Sequence, residues 1–299
     1  MHRGTLEERY PKRAERWRLR TRELGFGNTP LLMGIVNVTP DSFSDGGRFH
    51  AADAAVEHAL RLADEGAAIL DIGGESTRPY SEPVDAEEEL RRVGPVVEAV
   101  SRQTDVPVSV DTSKASVARA ALDAGAEVIN DVTGLEGDPE MLSLAIESGA
   151  GVCAMHMQGT PQTMQDDPSY RDLVAEIADY LAARRDALDA AGVAPDRVCL
   201  DPGIGFGKTH QHNLDLMAAC GEFHRLGRPL LVGHSRKGFL AKLLGDKEAD
   251  RTLATVGSAL ALAGQGVQVI RVHDVRPVRE ALLAFAACGG VDGRPGQIG

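Results

Sequence analysis

Aromatic side chains are scarce, at 4 % of 299 residues, with a single tryptophan. The core must therefore be aliphatic and rich in alanine, and a hydrophobic content of 43 % is enough to build a substantial one. Cysteine is scarce too. Cys153, Cys199, Cys220 and Cys288 form no CxxC pair and no zinc-like spacing, so reduced core thiols are expected. No stretch reaches the ~18 uninterrupted apolar residues of a membrane span, and no early apolar run has signal-peptide character. A cytoplasmic protein with no membrane partner is expected. Positive charge is also in deficit. A formal net charge of −12 opposes non-specific nucleic-acid binding, yet a local cationic cluster can still hold a small anion. No Ser-His-Asp or Cys-His nucleophile is evident.

What the chain has is repetition. From residue 31 a short apolar run, a polar or glycine-bearing loop and an amphipathic segment recur. The apolar runs are 31–36, 67–72, 106–110, 127–130, 151–155, 197–200, 229–233 and 267–272. Near-continuous apolar runs suit parallel strands buried on both faces, and their alternation with helices implies right-handed βα units. Eight units over about 260 residues predict a single α/β domain, a (β/α)8 TIM barrel. The rival, an open doubly wound sheet, is weakened because GxGxxG is missing after the first strand. Asp85 with Glu88 predicts a capping box before the segment reaching Val100. Thr112 or Ser113 is the candidate cap after the third strand. Leu173, Ile177 and Leu181 mark the buried stripe of the fifth helix.

Residues 1–30 stand outside the repeat. Arg16, Arg18, Arg20 and Arg22 alternate with Trp17, Leu19, Thr21 and Glu23, a strand-like period of two. Followed by Gly25-Phe26-Gly27-Asn28, this reads as an N-terminal β-hairpin extension covering the base of the barrel. A solvated edge face explains its arginines better than RNA or membrane contacts. The expected division is a basic hairpin extension over 1–30, the barrel over 31–290 and a tail over 291–299.

The stretch from Gly34 to Phe49, GIVNVTPDSFSDGGRF, runs from a rigid apolar strand into a polar loop ending in paired glycines. That combination suits a lid over a polar ligand. In barrels of this kind function gathers at the C-terminal ends of the strands. The candidates there are Asn37; Glu75, Thr77 and Arg78; Asp111; Asn130 and Asp131; His156; Asp201; Ser235, Arg236 and Lys237; Arg271 and His273. Each alone could be a helix cap or a loop tether, but convergence on one rim favours a site. Asp111, Asn130 and Asp201 suit a flat heterocycle with several N–H donors, which a carboxylate grips bidentately. Lys237 can donate to a ring carbonyl, and Met155 and Phe206 can pack on the ring faces. Lys237, Arg271 and His273 follow the last two strands, where barrels often hold phosphate. The residues thus point to a nitrogen heterocycle bearing phosphate.

The strings NVTPDSFSDGG, GGESTRP, SVDTSK, INDV, MHMQGTPQTMQ, LDPGIGFGK, SRKGFL and IRVHDV, in this order over roughly residues 31–288, resemble the dihydropteroate synthases of bacterial folate biosynthesis. The resemblance implies a transferase that condenses 6-hydroxymethyl-7,8-dihydropterin diphosphate with 4-aminobenzoate, giving 7,8-dihydropteroate and diphosphate. It implies that Asp111, Asn130, Asp201 and Lys237 hold the pterin, with Thr77, Met155 and Phe206 in the substrate site. Asn37 should help bind Mg2+ with the diphosphate, Arg271 and His273 should form the anion site, and Ser235 and Arg236 are further substrate-binding residues. Asp45, Arg78 and Lys237 are the implied catalytic residues, and Phe43 and Pro79 should line the aminobenzoate pocket. A homodimer is implied, with the small-residue segment Ala254 to Ala263 either at its interface or packed on the barrel. Two positions depart from the family pattern: Tyr80 stands where glycine is usual, and Gly238 where serine often follows the lysine. The alternatives are a pterin-dependent methyltransferase of the same barrel type and a non-catalytic pterin-binding paralogue. The intact first loop and SRK motif favour the synthase.

Overall fold

The computed structural model describes residues 4–38 and 48–293. After a capped turn of helix, α1 (Leu6–Arg9), the chain forms a hairpin of β1 (Arg16–Arg18) and β2 (Glu23–Gly25). Eight βα units follow: β3 (Leu31–Asn37), α2 (Arg48–Asp64), β4 (Ile69–Gly73), α3 (Ala86–Gln103), β5 (Val108–Asp111), α4 (Ala115–Asp123), β6 (Val128–Asp131), α5 (Met141–Ser148). The second half comprises β7 (Gly151–Met155), α6 (Leu173–Ala191), β8 (Val198–Asp201), α7 (His210–Ala218), β9 (Leu231–Gly233), α8 (Gly238–Leu244), α9 (Thr252–Gly264), β10 (Val269–Val272) and α10 (Val275–Ala287). Every strand pairing from β3 to β10 is parallel, and β10 returns to lie beside β3. The last seam, between β8 and β9, is made by a single bridge from Leu200 to Leu230 and the Leu200 N–H to Pro229 carbonyl bond. The sheet is a nearly closed eight-stranded barrel, as the apolar repeat predicts.

Alternation along the strands sorts the barrel interior from the layer between sheet and helices. Val36, Leu70, Ile72, Val110, Ile129, Val152, Leu200, Val232, Ile270 and Val272 pack outward against the helices. The inward positions at the base are Met33, Ile69, Val128, Cys153, Cys199, Leu231 and Val269, all fully buried. The cysteines among them are free thiols, as is buried Cys220; Cys288 is also free but exposed. The hairpin closes this end by inserting Trp17 and Leu19, both fully buried in the same cluster.

The hairpin turns earlier than its alternation suggests. The turn lies at residues 19–22, not at Gly25-Phe26-Gly27-Asn28, because buried Glu127 accepts both the Thr21 backbone N–H, at 2.7 Å, and the Thr21 hydroxyl, at 2.5 Å. Its arginines keep the solvated face, with Arg16 63 % exposed, but three of the four also act as staples. Arg18 pairs with Asp196 at 2.8 Å, Arg20 donates to the Leu122 carbonyl and Arg22 to that of Asp105. The Trp17 indole N–H reaches the Arg197 carbonyl at 2.8 Å.

Helix starts follow the sequence in part. Asp85 caps α3, accepting from the Glu88 N–H at 2.8 Å. At α4 the cap differs from both candidates. Lys114 occupies the N-cap, Thr112 Oγ1 accepts from the Lys114 N–H, and Asp138 from the following loop accepts from Ala115 N–H. A carboxylate from across the loop thus outcompetes the local hydroxyl.

Candidate active site

One step up each strand from the apolar base, two residues on and facing the same way, the interior changes character. These positions hold Ile35, Asp71, Asp111, Asn130, Met155, Asp201, Gly233 and Arg271. Three carboxylates, an amide and a guanidinium thus form a polar layer resting directly on an apolar floor. Strand register aligns the rim: Asn37 pairs with Gly73, Gly73 with Asp111 and Asp111 with Asn130.

Arg271 organises this layer. Its Nε donates to Asp71 Oδ2 at 2.6 Å and its terminal nitrogen to Asp111 Oδ2 at 2.7 Å. Asn130 Nδ2 donates to the same Asp71 oxygen at 3.1 Å. Asp71 is fully buried, and its Oδ1 has no hydrogen-bond partner among the described residues. Burial drives the Asp111 carboxyl well above the usual carboxylate range, against the pull of Arg271 and with help from the Asp71 charge. Burial likewise lifts Asp201 to about 6, opposed by the Gly203 N–H, 2.7 Å from Oδ1, and then by Lys237, Lys208 and Arg271.

Lys237, at the N-cap of α8, reaches back over the loop after β8. Its ammonium donates to the Ile204 carbonyl and lies 4.4 Å from the centre of the Phe206 ring. Burial lowers it to about 8, with Asp201 opposing. Met155 is buried and Phe206 half-buried, so both offer apolar contact beside the carboxylates.

On the β9–β10 side, Ser235 Oγ accepts from the His273 N–H at 3.2 Å and sits 3.0 Å from His273 Nδ1. Burial pushes His273 down to about 3, and the positive charges of Arg271, Arg236, Arg78 and Lys237 push it further the same way. A neutral imidazole ringed by cations is poised for an anion. Arg236, in a left-handed backbone conformation at φ 57°, is held bidentately by Asp274 at 2.9 and 2.5 Å. Asn37, Arg236 and His273 line one cavity of about 880 Å3 with His58 and Arg61 of α2.

The structure therefore brings together Asn37, Asp111, Asn130, Met155, Asp201, Phe206, Ser235, Arg236, Lys237, Arg271 and His273. It leaves Arg78 and Pro79 exposed on the loop after β4, with Thr77 half-buried before them. Phe43 and Asp45 lie outside the described residues. Three expected rim residues have other partners. Asp131 caps its own loop through Thr133 and Leu135, Glu75 accepts from Lys114 Nζ at 2.6 Å, and His156 meets Lys208. Tyr80 takes a left-handed conformation, at φ 61°, that glycine adopts with ease. It ties the β4 loop to the β7 loop through Pro161 O and the Asp166 carboxylate, at 3.1 and 3.2 Å.

Reading only strand ends overlooks Asp71, yet a lone carboxylate inside the apolar run 67–72 is its signal. Lys114 and Lys208 close the motifs SVDTSK and LDPGIGFGK; both are basic residues held in contact with the loops around the site.

Residues 33–273 match the family model described as pterin binding enzyme. The chain belongs to the dihydropteroate synthase family of pterin-binding enzymes. It is 47 % identical to the dihydropteroate synthase of Escherichia coli K12 over 258 residues, 86 % of this chain and 91 % of that protein. The Yersinia pestis dihydropteroate synthase, solved in a complex with a sulfonamide drug, superposes with a TM-score of 0.85 at 46 % identity, covering 91 % of this chain and 98 % of that one. The Xanthomonas albilineans enzyme in complex with 7,8-dihydropteroate gives 0.82 at 43 % identity, with the same coverage. Membership in the dihydropteroate synthases accounts for a polar layer above an apolar floor: a flat, donor-rich ring needs acceptors on its edge and dry faces above and below.

Proposed function

We propose that this chain catalyses the synthase reaction, joining 4-aminobenzoate to 6-hydroxymethyl-7,8-dihydropterin diphosphate to give 7,8-dihydropteroate and diphosphate. The observation that carries the reading is the interior layer of Asp71, Asp111, Asn130, Asp201 and Arg271, with neutral His273 among cations beside it. Asp201, ionised above about pH 6, accepts adjacent N–H groups of the pterin edge in a charge-assisted pair. Asn130 and Asp111 serve the opposite edge, and Lys237 donates to the ring carbonyl. Met155 and Phe206 exclude water from the ring faces.

At the exocyclic CH2 the C–O bond to diphosphate breaks first, its electron pair leaving with the diphosphate while the electron-rich dihydropterin delocalises the cation; the arylamine nitrogen then forms the C–N bond and sheds a proton. The amine is neutral at pH 7, so no strong base is required. Arg271 and the His273 ring stabilise the charge growing on the departing diphosphate. Asp45 stabilises the cation developing on the pterin, Arg78 folds over the substrates, and Phe43 and Pro79 line the aminobenzoate pocket.

The donors at the diphosphate end suit Mg2+. Among the described residues no cluster of three His, Cys, Asp or Glu side chains could cage a metal. Mg2+ does not require one, since it keeps several waters and binds through few protein ligands plus substrate phosphates. The Asn37 side-chain oxygen at the strand end is the residue that would hold it. When bound, Mg2+ would neutralise charge on the leaving diphosphate.

We further read the enzyme as a cytoplasmic homodimer. No helix among the described residues is long and apolar enough to cross a membrane. Helix α9 buries Thr255, Ala259, Leu262 and Ala263 against the barrel. Its outer side presents Leu253, 81 % exposed, and Leu243 and Leu244 of α8 and Leu283 of α10 are exposed as well. Such apolar exposure suits a second copy of the chain.

The test mixes purified protein with the pterin diphosphate, Mg2+ and labelled 4-aminobenzoate. Labelled dihydropteroate is expected. Pterin binding without product would support the non-catalytic paralogue, and methyl transfer to a corrinoid protein the methyltransferase.

A further inference from the structure

Lys208 is the most deeply buried lysine of the chain, 2 % exposed, and nothing in the substrate contacts above uses it. Its ammonium sits 3.0 Å from His156 Nδ1, in the loop after β7, and donates to the Phe206 carbonyl at 2.9 Å, in the loop after β8. His156 is itself tied to the end of β8, since its N–H donates to the Asp201 carbonyl at 2.9 Å. Phe206 carries the ring over which Lys237 lies. The loop between them has no slack. A Cβ on Gly203 would come 1.9 Å from the His156 carbonyl, and one on Gly207 2.5 Å from that of Gln158. Asn213 of α7 fixes the middle by accepting the Gly205 N–H at 2.6 Å.

We propose that Lys208 is a positioning residue for pterin recognition: by pinning the β7 loop to the β8 loop it sets Asp201, Phe206 and Lys237 in the arrangement that grips the ring. This rests on the synthase reading above.

The electrostatics agree with the geometry. Burial lowers Lys208 to about 7, Asp201 raises it and Lys237 lowers it. Near pH 6, where Asp201 titrates, Lys208 is therefore charged and opposes Asp201 protonation. The charged and titratable groups that face this pair are Lys237 from the start of α8, Arg271 from β10, His156 from the β7 loop, and the buried thiols Cys153 of β7 and Cys220 after α7. Burial, then Lys208, pushes His156 down to about 3, so its ring is neutral and Nδ1 is free to accept. The Tyr180 ring stands edge-on to it at 5.0 Å, fixing its orientation.

The experiment compares wild type, Lys208→Met and His156→Phe. The dissociation constant of the pterin diphosphate, with Mg2+, is followed by calorimetry from pH 5 to 8.5, and KM for 4-aminobenzoate is measured at saturating pterin. Lys208→Met should weaken pterin binding at least about tenfold and move its acid limb to higher pH. The aminobenzoate KM should stay within about twofold. His156→Phe keeps the buried charge but removes the acceptor, so it should weaken pterin binding without moving the limb. If Lys208→Met does not fold, the pterin-against-aminobenzoate split in His156→Phe decides. Equal losses for both substrates, or an unchanged pterin constant, would overturn the proposal. A wild type that makes no dihydropteroate would instead overturn the synthase reading.

Discussion

Asp71→Ala and Asp71→Asn separate what charge contributes to the polar layer from what shape contributes. Asp71 is fully buried and accepts from Arg271 at 2.6 Å and from Asn130 at 3.1 Å through one oxygen. Alanine removes both bonds. Each hydrogen bond to a charged group is worth roughly 1.5–3 kcal/mol, and stripping one partner from a buried ion pair costs about 3–5 kcal/mol. Two effects work the other way: Arg271 keeps Asp111, at 2.7 Å, and the partnerless Asp71 Oδ1 disappears. The net expectation is a loss of ~2–4 kcal/mol for alanine. Asparagine still offers an oxygen to Arg271 and Asn130 and loses only charge, so ~1 kcal/mol is expected. Urea denaturation measures both as a fall in midpoint at constant slope. Catalysis should separate them further. A guanidinium displaced by about 1 Å costs on the order of 100-fold, so kcat/KM should fall that far in the alanine variant and much less with asparagine. Equal destabilisation by the two substitutions, or both within about 0.5 kcal/mol of wild type, would refute the role given to this carboxylate.

Asp201→Asn should abolish measurable pterin binding and leave the protein at least as stable at pH 8. Burial raises the Asp201 pKa in the fold to about 6, so its contribution to stability is full below the unfolded carboxylate range and lost as pH rises through 6. Wild-type pterin affinity in calorimetry would remove Asp201 from the grip. His273, held near 3 by burial and surrounding cations, should titrate at distinctly higher pH once diphosphate binds, because an anion favours the imidazolium. An unchanged ring-proton titration by NMR would place the anion elsewhere. Gly238→Ser should fold without cost, since a Cβ there comes no nearer than 3.8 Å to His210. It should alter affinity for aminobenzoate and its sulfonamide mimics, and identical inhibition constants would count against a role for this position. Asp45→Ala should slow turnover while leaving pterin affinity intact, and wild-type turnover would exclude Asp45 from the chemistry.

The barrel was legible because eight apolar runs of strand length leave few ways to bury both faces. Strand bounds match those runs to within two residues. Legibility failed where long-range partners decide. Nothing local says that Glu127 will accept the Thr21 N–H and hydroxyl, so the hairpin turn cannot be placed from alternation alone. Asp138 caps α4 from 23 residues away. The site was half legible for the same reason. Motif ends named Asp111, Asn130, Asp201, Lys237 and Arg271, but not that Arg271 would bind two carboxylates. That contact depends on β10 facing β4 and β5 across the interior, a matter of closure and register.

Closure also explains how a layer so rich in buried charge is tolerated. Three carboxylates and a guanidinium over an aqueous channel would be screened and weakly ordered; in an apolar shell each needs a partner. The floor of Met33, Ile69, Val128, Cys153, Cys199, Leu231 and Val269, capped by Trp17 and Leu19, keeps water from entering below. The hairpin at the far end is thus coupled to the site through dielectric more than through contact. Truncating Trp17 should destabilise the fold by ~3–5 kcal/mol. It should also admit water beneath Asp71 and Asp201, so the acid limb of pterin binding should move toward lower pH as burial stops raising Asp201. A Trp17→Ala variant that loses stability but keeps the wild-type limb would show that the floor supports the barrel without tuning its chemistry.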